Sequence, residues 1–219
     1  MSSRGMAGAR PRAPSPPSAL AHFAHIRRYW DARQNAYIAK LLPGDYYVTL
    51  GSEVICTTLG SCVSACVRDR ATGIGGMNHF MLPLDRSRGD SAWSDSVSAA
   101  TRYGANAMEH LITDMLKAGV RRENFEFKLV GGGRVLEAMT DVGAANIEFA
   151  RTYMRTEGFT VTGEDLGDCY PRQVIYTPST GRLRVKRLRS TQLGTVVDSE
   201  RSYLDKVSAQ PLAGDVELF

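Results

Sequence analysis

The sequence predicts a mixed α/β fold: a single domain whose strands form a mixed, twisted sheet system with two helices packed on one side. Three observations point there. Short runs rich in β-branched and aromatic residues crowd both ends of the central region. Two longer segments between them repeat their apolar residues at helical spacing, and Gly- or Pro-containing turns punctuate the whole.

Taken in order, residues 1–18 carry Pro11, Pro14, Pro16 and Pro17 and read as a disordered tail. Residues 19–42 place Tyr29, Trp30 and Tyr37 at roughly helical intervals, which predicts an N-terminal extension with a short amphipathic helix. Pro43-Gly44-Asp45 is turn chemistry. Tyr46–Leu50, Val54–Leu59, Val63–Val67 and Ile74–Leu82 then read as strands, separated by Gly51-Ser52-Glu53, Gly60-Ser61 and Asp69–Gly73. Pro83 to Trp93 is polar and reads as a surface loop, with Asp85 to Trp93 as a candidate rim. Ser96–Ala118 is a helix closed by Gly119, Phe125–Val130 a strand running into Gly131-Gly132-Gly133, and Val142–Glu157 a second helix stopped by Gly158. Phe159–Thr162, Gln173–Tyr176 and Leu183–Leu188 complete the strands. Residues 189–219, polar with scattered apolar positions, read as a weakly ordered C-terminal tail. The domain expected to carry the chemistry is 43–188.

The composition narrows the function. A chain of 219 residues, 43% hydrophobic and 23% charged, is long enough for a full core and unlike a disordered, collagen-like or coiled-coil protein. No apolar run approaches the ~18 residues of a membrane-spanning helix. The formal charge of +4 is mild, with Arg4, Arg10 and Arg12 in the leading tail, and does not argue for nucleic acid. Four cysteines are too few for a disulfide scaffold, so a reducing, cytoplasmic compartment is expected. The prolines interrupt any secretory leader at the N-terminus.

The chemistry concentrates around Cys62. It stands at a Gly60-Ser61 break between two strands, where a sulfur and several backbone N–H groups can face the same space. His79 follows seventeen positions later, on the next strand across a hairpin. A thiol near pKa 8.5 becomes a useful nucleophile when a histidine takes its proton. The plain alternatives are a buried structural thiol and a core histidine satisfied by a carbonyl. A zinc site of Cys62, Cys66 and His79 fails on spacing, because a strand of ~3.3 Å rise per residue separates the two sulfurs by about 13 Å. No metal and no cofactor are expected, and Cys56, Cys66 and Cys169 default to structural positions. Gly131-Gly132-Gly133 lacks the Lys-Ser/Thr of a phosphate loop and the acidic residue of a dinucleotide fingerprint. Ser61 is a weaker nucleophile than its neighbour, and His22, His25 and His110 belong to no motif.

Leu59-Gly60-Ser61-Cys62-Val63, Arg68-Asp69, Gly76-Met77-Asn78-His79-Phe80-Met81-Leu82-Pro83, Gly131-Gly132, Asn146 and the run from Glu164-Asp165-Leu166-Gly167 to Gly181-Arg182-Leu183 together resemble the CheD family of chemoreceptor glutamine deamidases. The resemblance covers roughly Pro43 to Leu188. It implies a layered sandwich similar to toxin-type cysteine deamidases. It also implies hydrolysis of selected glutamine side chains on methyl-accepting chemotaxis receptors, with Cys62 as nucleophile and His79 as general base and acid. The turn itself suggests Gly60 and Ser61, with the Cys62 amide, as an oxyanion hole. In the family's motif a threonine that orients the histidine stands six positions before the cysteine. Cys56 occupies that place here, Thr57 and Thr58 follow, and on a regular strand they face opposite ways; Thr57 is the expected orienter. Partners implied are the helical cytoplasmic receptor domain and a CheC-type phosphatase, with Trp93 on the rim of the cleft. The competing reading is a non-catalytic adaptor that docks receptors or a CheC-type phosphatase.

Overall fold

A computed structural model describes residues 13–82, 89–135, 140–189 and 193–208. Among these residues ten strands form two five-stranded sheets. The first contains β1 (Arg27–Asp31), β2 (Ala36–Lys40), β4 (Val54–Leu59), β9 (Arg172–Thr177) and β10 (Arg182–Arg187), in the order β1-β2-β4-β9-β10. The second contains β3 (Tyr46–Thr49), β5 (Val63–Asp69), β6 (Gly75–Asn78), β7 (Phe125–Gly131) and β8 (Thr160–Leu166), in the order β3-β6-β5-β7-β8. Neighbours are antiparallel except β2–β4 and β7–β8. The sheets are therefore mixed, as expected.

Helices α1 (Gly89–Lys117) and α2 (Thr140–Thr156) pack on the second sheet, α1 over β3 and β6 and α2 over β5, β7 and β8. That sheet becomes the middle layer. Its central strand β5 is buried at every position but Arg68, because one face meets the first sheet and the other the helices. Ile55 and Leu59 of β4, Val174 and Tyr176 of β9, Phe127 and Leu129 of β7, and Met108, Leu111 and Met115 of α1 share one continuous core.

Three sequence expectations are corrected. The segment 19–42 holds a strand hairpin in place of an amphipathic helix. Trp30 and Tyr37 lie directly opposite each other in the β1–β2 register, rings 5.5 Å apart, and Asn35 takes a positive φ of 48° in the turn. A separation of seven residues suits two helical turns and also a tight hairpin, and cross-strand packing decides it. The hairpin is part of the sandwich: β2 pairs with β4, Phe23 and Ile26 enter the core, and Arg28 Nε donates to buried Glu53 at 2.7 Å.

Within the C-terminal segment, Leu193–Ser208 forms a third helix, α3. Val196, Glu200, Tyr203 and Leu204 share its inward face at helical spacing, and the glutamate in the middle of that stripe disguises the apolar period.

Helix α1 begins at Gly89, so the backbone at Trp93 is helical, not loop. The polar first turn with Asp90 and Ser91 is helix-start chemistry that reads as loop in sequence. The Trp93 side chain and residues 85–88 of the expected rim lie outside the described residues, as do residues 1–12 of the expected tail and 209–219. Residues 13–18 carry no regular secondary structure; Tyr37 donates its hydroxyl to Pro14 O at 2.8 Å, and the Arg28 guanidinium donates to Pro17 O.

Candidate active site

The turn Gly60-Ser61-Cys62 carries the chain from β4 in one sheet to β5 in the other, so its peptides span the seam between layers. Each of its carbonyls is fixed on the side away from the site. Gly60 O accepts from Gly133 N at 2.7 Å, Ser61 O from Asn146 Nδ2 at 2.9 Å, and Cys62 O from Gly132 N at 2.7 Å. In a planar trans peptide the next residue's N–H points opposite to the carbonyl. Anchoring Gly60 O and Ser61 O therefore turns the amides of Ser61 and Cys62 into the site, where the Gly60 amide joins them. Asn146 is itself held, since its Oδ1 accepts from Leu82 N at 2.8 Å.

The glycine run lets the backbones approach this closely. Gly131 has φ of 122°, and a Cβ there would lie 2.2 Å from Cys62 O. Its own carbonyl accepts from Gly167 N and from Arg172 Nη1, each at 2.9 Å. Arg172 is wholly buried in the sandwich, donates also to the carbonyls of Asp165 and Gly167, and pairs with the Asp165 carboxylate at 3.1 Å. This arginine stitches the end of β8 to the end of β7, where the next residue, Gly132, holds Cys62 O.

His79 follows β6. Val63 and Phe80 form an antiparallel pair, exchanging both backbone hydrogen bonds at 3.0 Å. Cys62 and His79 each neighbour one member of that pair, so strand alternation sends their side chains to one shared side. The His79 backbone is pinned, its N–H donating to Asp45 O and its carbonyl accepting from Gly44 N, both at 2.8 Å.

Thr57 Oγ1 lies 2.7 Å from His79 Nδ1 and 3.0 Å from Leu41 O. A carbonyl can only accept, so the single hydroxyl proton goes to Leu41 O, and Thr57 must accept from Nδ1–H. The tautomer follows: Nε2 carries the lone pair. That atom is buried and, among the described residues, has no hydrogen-bond partner. Thr58, half-buried, faces a neighbouring cleft of about 330 Å³ instead.

The sequence offered no sign of the residue that occupies the amide nest. Glu200 of α3, 1% exposed, accepts from Gly60 N at 2.7 Å and Cys62 N at 3.2 Å on Oε1, and from Ser61 N at 2.8 Å and Ser61 Oγ at 2.7 Å on Oε2. Sγ of Cys62, a His79 ring nitrogen and a Glu200 carboxylate oxygen lie within 4.8 Å of one another. Burial, then the Glu200 charge and hydrogen bond, push the Cys62 thiol well above its ordinary range. Burial likewise holds His79 down to about 4, against the opposing pull of Glu200. With α3 in place the pair is a thiol and a neutral imidazole.

The sequence-predicted residues are thus distributed as follows. Cys62, His79, Thr57, Gly60 and Ser61 converge on one place. Cys66 is buried within β5, paired with Met77 and Lys128, and Cys56 is buried on β4. Cys169 is exposed, which corrects its structural assignment; it follows Asp168 at a positive-φ turn on the surface. A Cys–His–Glu trio has the donor types of a zinc site, and Glu200 is its third member in place of Cys66, which the strand spacing excludes. Four N–H and O–H donors already converge on the two oxygens of Glu200, so its fit is to the nest and not to a metal.

The geometry defines a class: a thiol, an imidazole and an orienting hydroxyl in series, set against a nest of three backbone amides. The comparisons with known proteins are more specific. The family model described as CheD chemotactic sensory transduction matches residues 81–187. The protein of Halorhodospira halophila (strain DSM 244 / SL1) called "Probable chemoreceptor glutamine deamidase CheD" is 54% identical over 211 residues, 96% of this chain and 97% of that one. Its namesake in Hahella chejuensis (strain KCTC 2396) is 46% identical over 214 residues, 98% of this chain and 100% of the other. The chain belongs to the CheD family.

Proposed function

We propose that this chain is a chemoreceptor glutamine deamidase that works through a thioester on Cys62. The names of its relatives in Halorhodospira halophila and Hahella chejuensis support the substrate. The observation that carries the mechanism is the fixed tautomer of His79: Thr57 takes Nδ1–H and leaves the Nε2 lone pair free beside the thiol.

Cys62 Sγ attacks the glutamine carboxamide carbon as Nε2 takes the thiol proton. The developing oxyanion is received by the amides of Gly60, Ser61 and Cys62, a contribution of about 3–4 kcal/mol per donor in comparable sites. Collapse expels ammonia, protonated by the His79 imidazolium, and leaves the thioester. Water, deprotonated by the same nitrogen, then hydrolyses it to glutamate and restores the thiol. No step calls on a cofactor.

No helix among the described residues is long and apolar enough to cross a membrane, and all four cysteines are free thiols. Both features support action in the cytoplasm on the cytoplasmic helices of receptors. The test is mass spectrometry of a receptor cytoplasmic fragment. Wild type adds about 1 Da at chosen glutamines and Cys62→Ala does not, since one carboxamide becomes one carboxylate per turnover. No shift with either protein leaves the adaptor reading.

A further inference from the structure

The nest that should receive a substrate oxyanion is filled by the chain's own glutamate, and glutamate is the product of the proposed reaction. We infer that α3 lies where a substrate helix docks, with Glu200 as a built-in product mimic, so the protein inhibits itself until a receptor helix displaces α3. This rests on the deamidase reading above.

Three features support it. First, the mimicry is atomic: the Glu200 carboxylate is received by the three amides and the Ser61 hydroxyl, and an oxygen of it lies within 4.8 Å of Cys62 Sγ and a His79 ring nitrogen. Second, the mimic is presented by a helix. Val196, Tyr203 and Leu204 flank Glu200 at i−4, i+3 and i+4 on the same face and pack inward with it. Clefts of about 330 and 280 Å³ adjoin α3 and both reach His79, the first beside Val196 and Ser199 and the second beside Tyr203. Third, the attachment is releasable, since the contacts that hold α3 on the sandwich run through its side chains: Glu200 on the turn amides, and Tyr203, whose hydroxyl meets that of Tyr103.

The partner is thereby specified by chemistry. It is an amphipathic helix carrying a glutamine, with an apolar residue one turn before and larger apolar residues one turn after. Lys40 and Lys186 on the first cleft suit acidic residues beside that face.

The decisive test uses the full chain with Glu200→Gln, which places a carboxamide in the nest. Its carbonyl oxygen can take the amides, and the reaction then balances as for any substrate: Cys62 displaces ammonia from the introduced carboxamide, and water releases the carboxylate of Glu200. Peptide mapping follows position 200 in this variant and in a Glu200→Gln/Cys62→Ala control. The expected result is a gain of about 1 Da at position 200 in the first protein alone, at a rate independent of protein concentration, since the reaction is intramolecular. A second arm compares wild type with Glu200→Ala on a receptor cytoplasmic fragment. Freeing the site lowers KM on the order of tenfold with kcat little changed, as removal of a closed state requires.

A carboxamide left intact at position 200 while wild type deamidates the fragment overturns the inference and leaves the deamidase reading standing, as does an unchanged or raised KM in Glu200→Ala. Failure of wild type on the fragment as well brings down the deamidase reading and this inference with it. Stoichiometric zinc in the purified wild type, lost in Glu200→Gln, makes Glu200 a metal ligand and also overturns it.

Discussion

Thr57 Oγ1 stands 2.7 Å from Nδ1 of His79, and its proton is already committed to the carbonyl of Leu41. The threonine therefore accepts where a carboxylate would otherwise be needed, and it selects the Nε2 lone-pair tautomer without burying a second charge. Thr57→Ala frees the ring to rotate and to protonate at either nitrogen, and kcat falls on the order of 10²-fold. Thr57→Ser keeps the oxygen and restores most of the rate. Thr58→Ala stays within about twofold of wild-type kcat, because its side chain faces away from the imidazole. Steady-state kinetics on a receptor fragment checks all three, and a larger loss in Thr58→Ala than in Thr57→Ala contradicts the assignment.

Asn146 uses both ends of its amide, donating to Ser61 O and accepting from Leu82 N. Asn146→Ala strands two buried backbone groups, at a stability cost of about 2–4 kcal/mol. It also frees the Ser61–Cys62 peptide to rotate, which lowers kcat on the order of tenfold with KM little changed. Urea unfolding and kinetics measured together decide it. A destabilised variant with wild-type kcat shows that the peptide keeps its orientation without Asn146.

Burial lowers the His79 pKa from 6.5 to about 4. Between those values the unfolded chain binds a proton that the folded chain does not, so stability rises with pH there and is lost as pH falls through this window. His79→Gln lacks this titration. Relative to the variant, wild type loses up to about 3 kcal/mol on acidification across the window, with Glu200 and Cys62 the groups facing the ring. Urea midpoints of the two proteins plotted against pH test this; parallel curves contradict it.

Cys169 is exposed whereas Cys62 is fully buried beneath Glu200 with its thiol pushed up. Iodoacetamide near neutral pH labels Cys169 faster than Cys62 by on the order of 10²-fold. Peptide-resolved labelling rates measure the ratio, and comparable rates show that the site stands open in solution.

The strands around the site, Cys62 and His79 were legible because their signals are local, whereas an orienting threonine entered through the family resemblance and strand alternation chose Thr57. A Gly-Ser break before a cysteine, a histidine across the next hairpin and two threonines of opposite facing each read from a short window. What escaped depends on partners far along the chain. Trp30 and Tyr37 are spaced for a helix and pair across a hairpin instead, which only the parallel β2–β4 ladder settles. Arg172 looks like an ordinary strand charge, yet it is buried because three carbonyls and Asp165 converge on it. Glu200 hid most completely. A charged residue on the inward face breaks the apolar period that would have announced α3, and its reason for being there lies about 140 residues away, in the amides of Gly60 to Cys62.

The proposed reaction acylates Cys62 Sγ at the amide nest. Its most direct test is acid-quenched intact mass spectrometry of the protein mixed with a receptor cytoplasmic fragment under single-turnover conditions. The expected result is a transient species with the summed mass of both chains less about 17 Da, the ammonia expelled on thioester formation, mapped to Cys62 and cleaved by hydroxylamine. Deamidated fragment accumulating with no such adduct, and equally in Cys62→Ala, would contradict it.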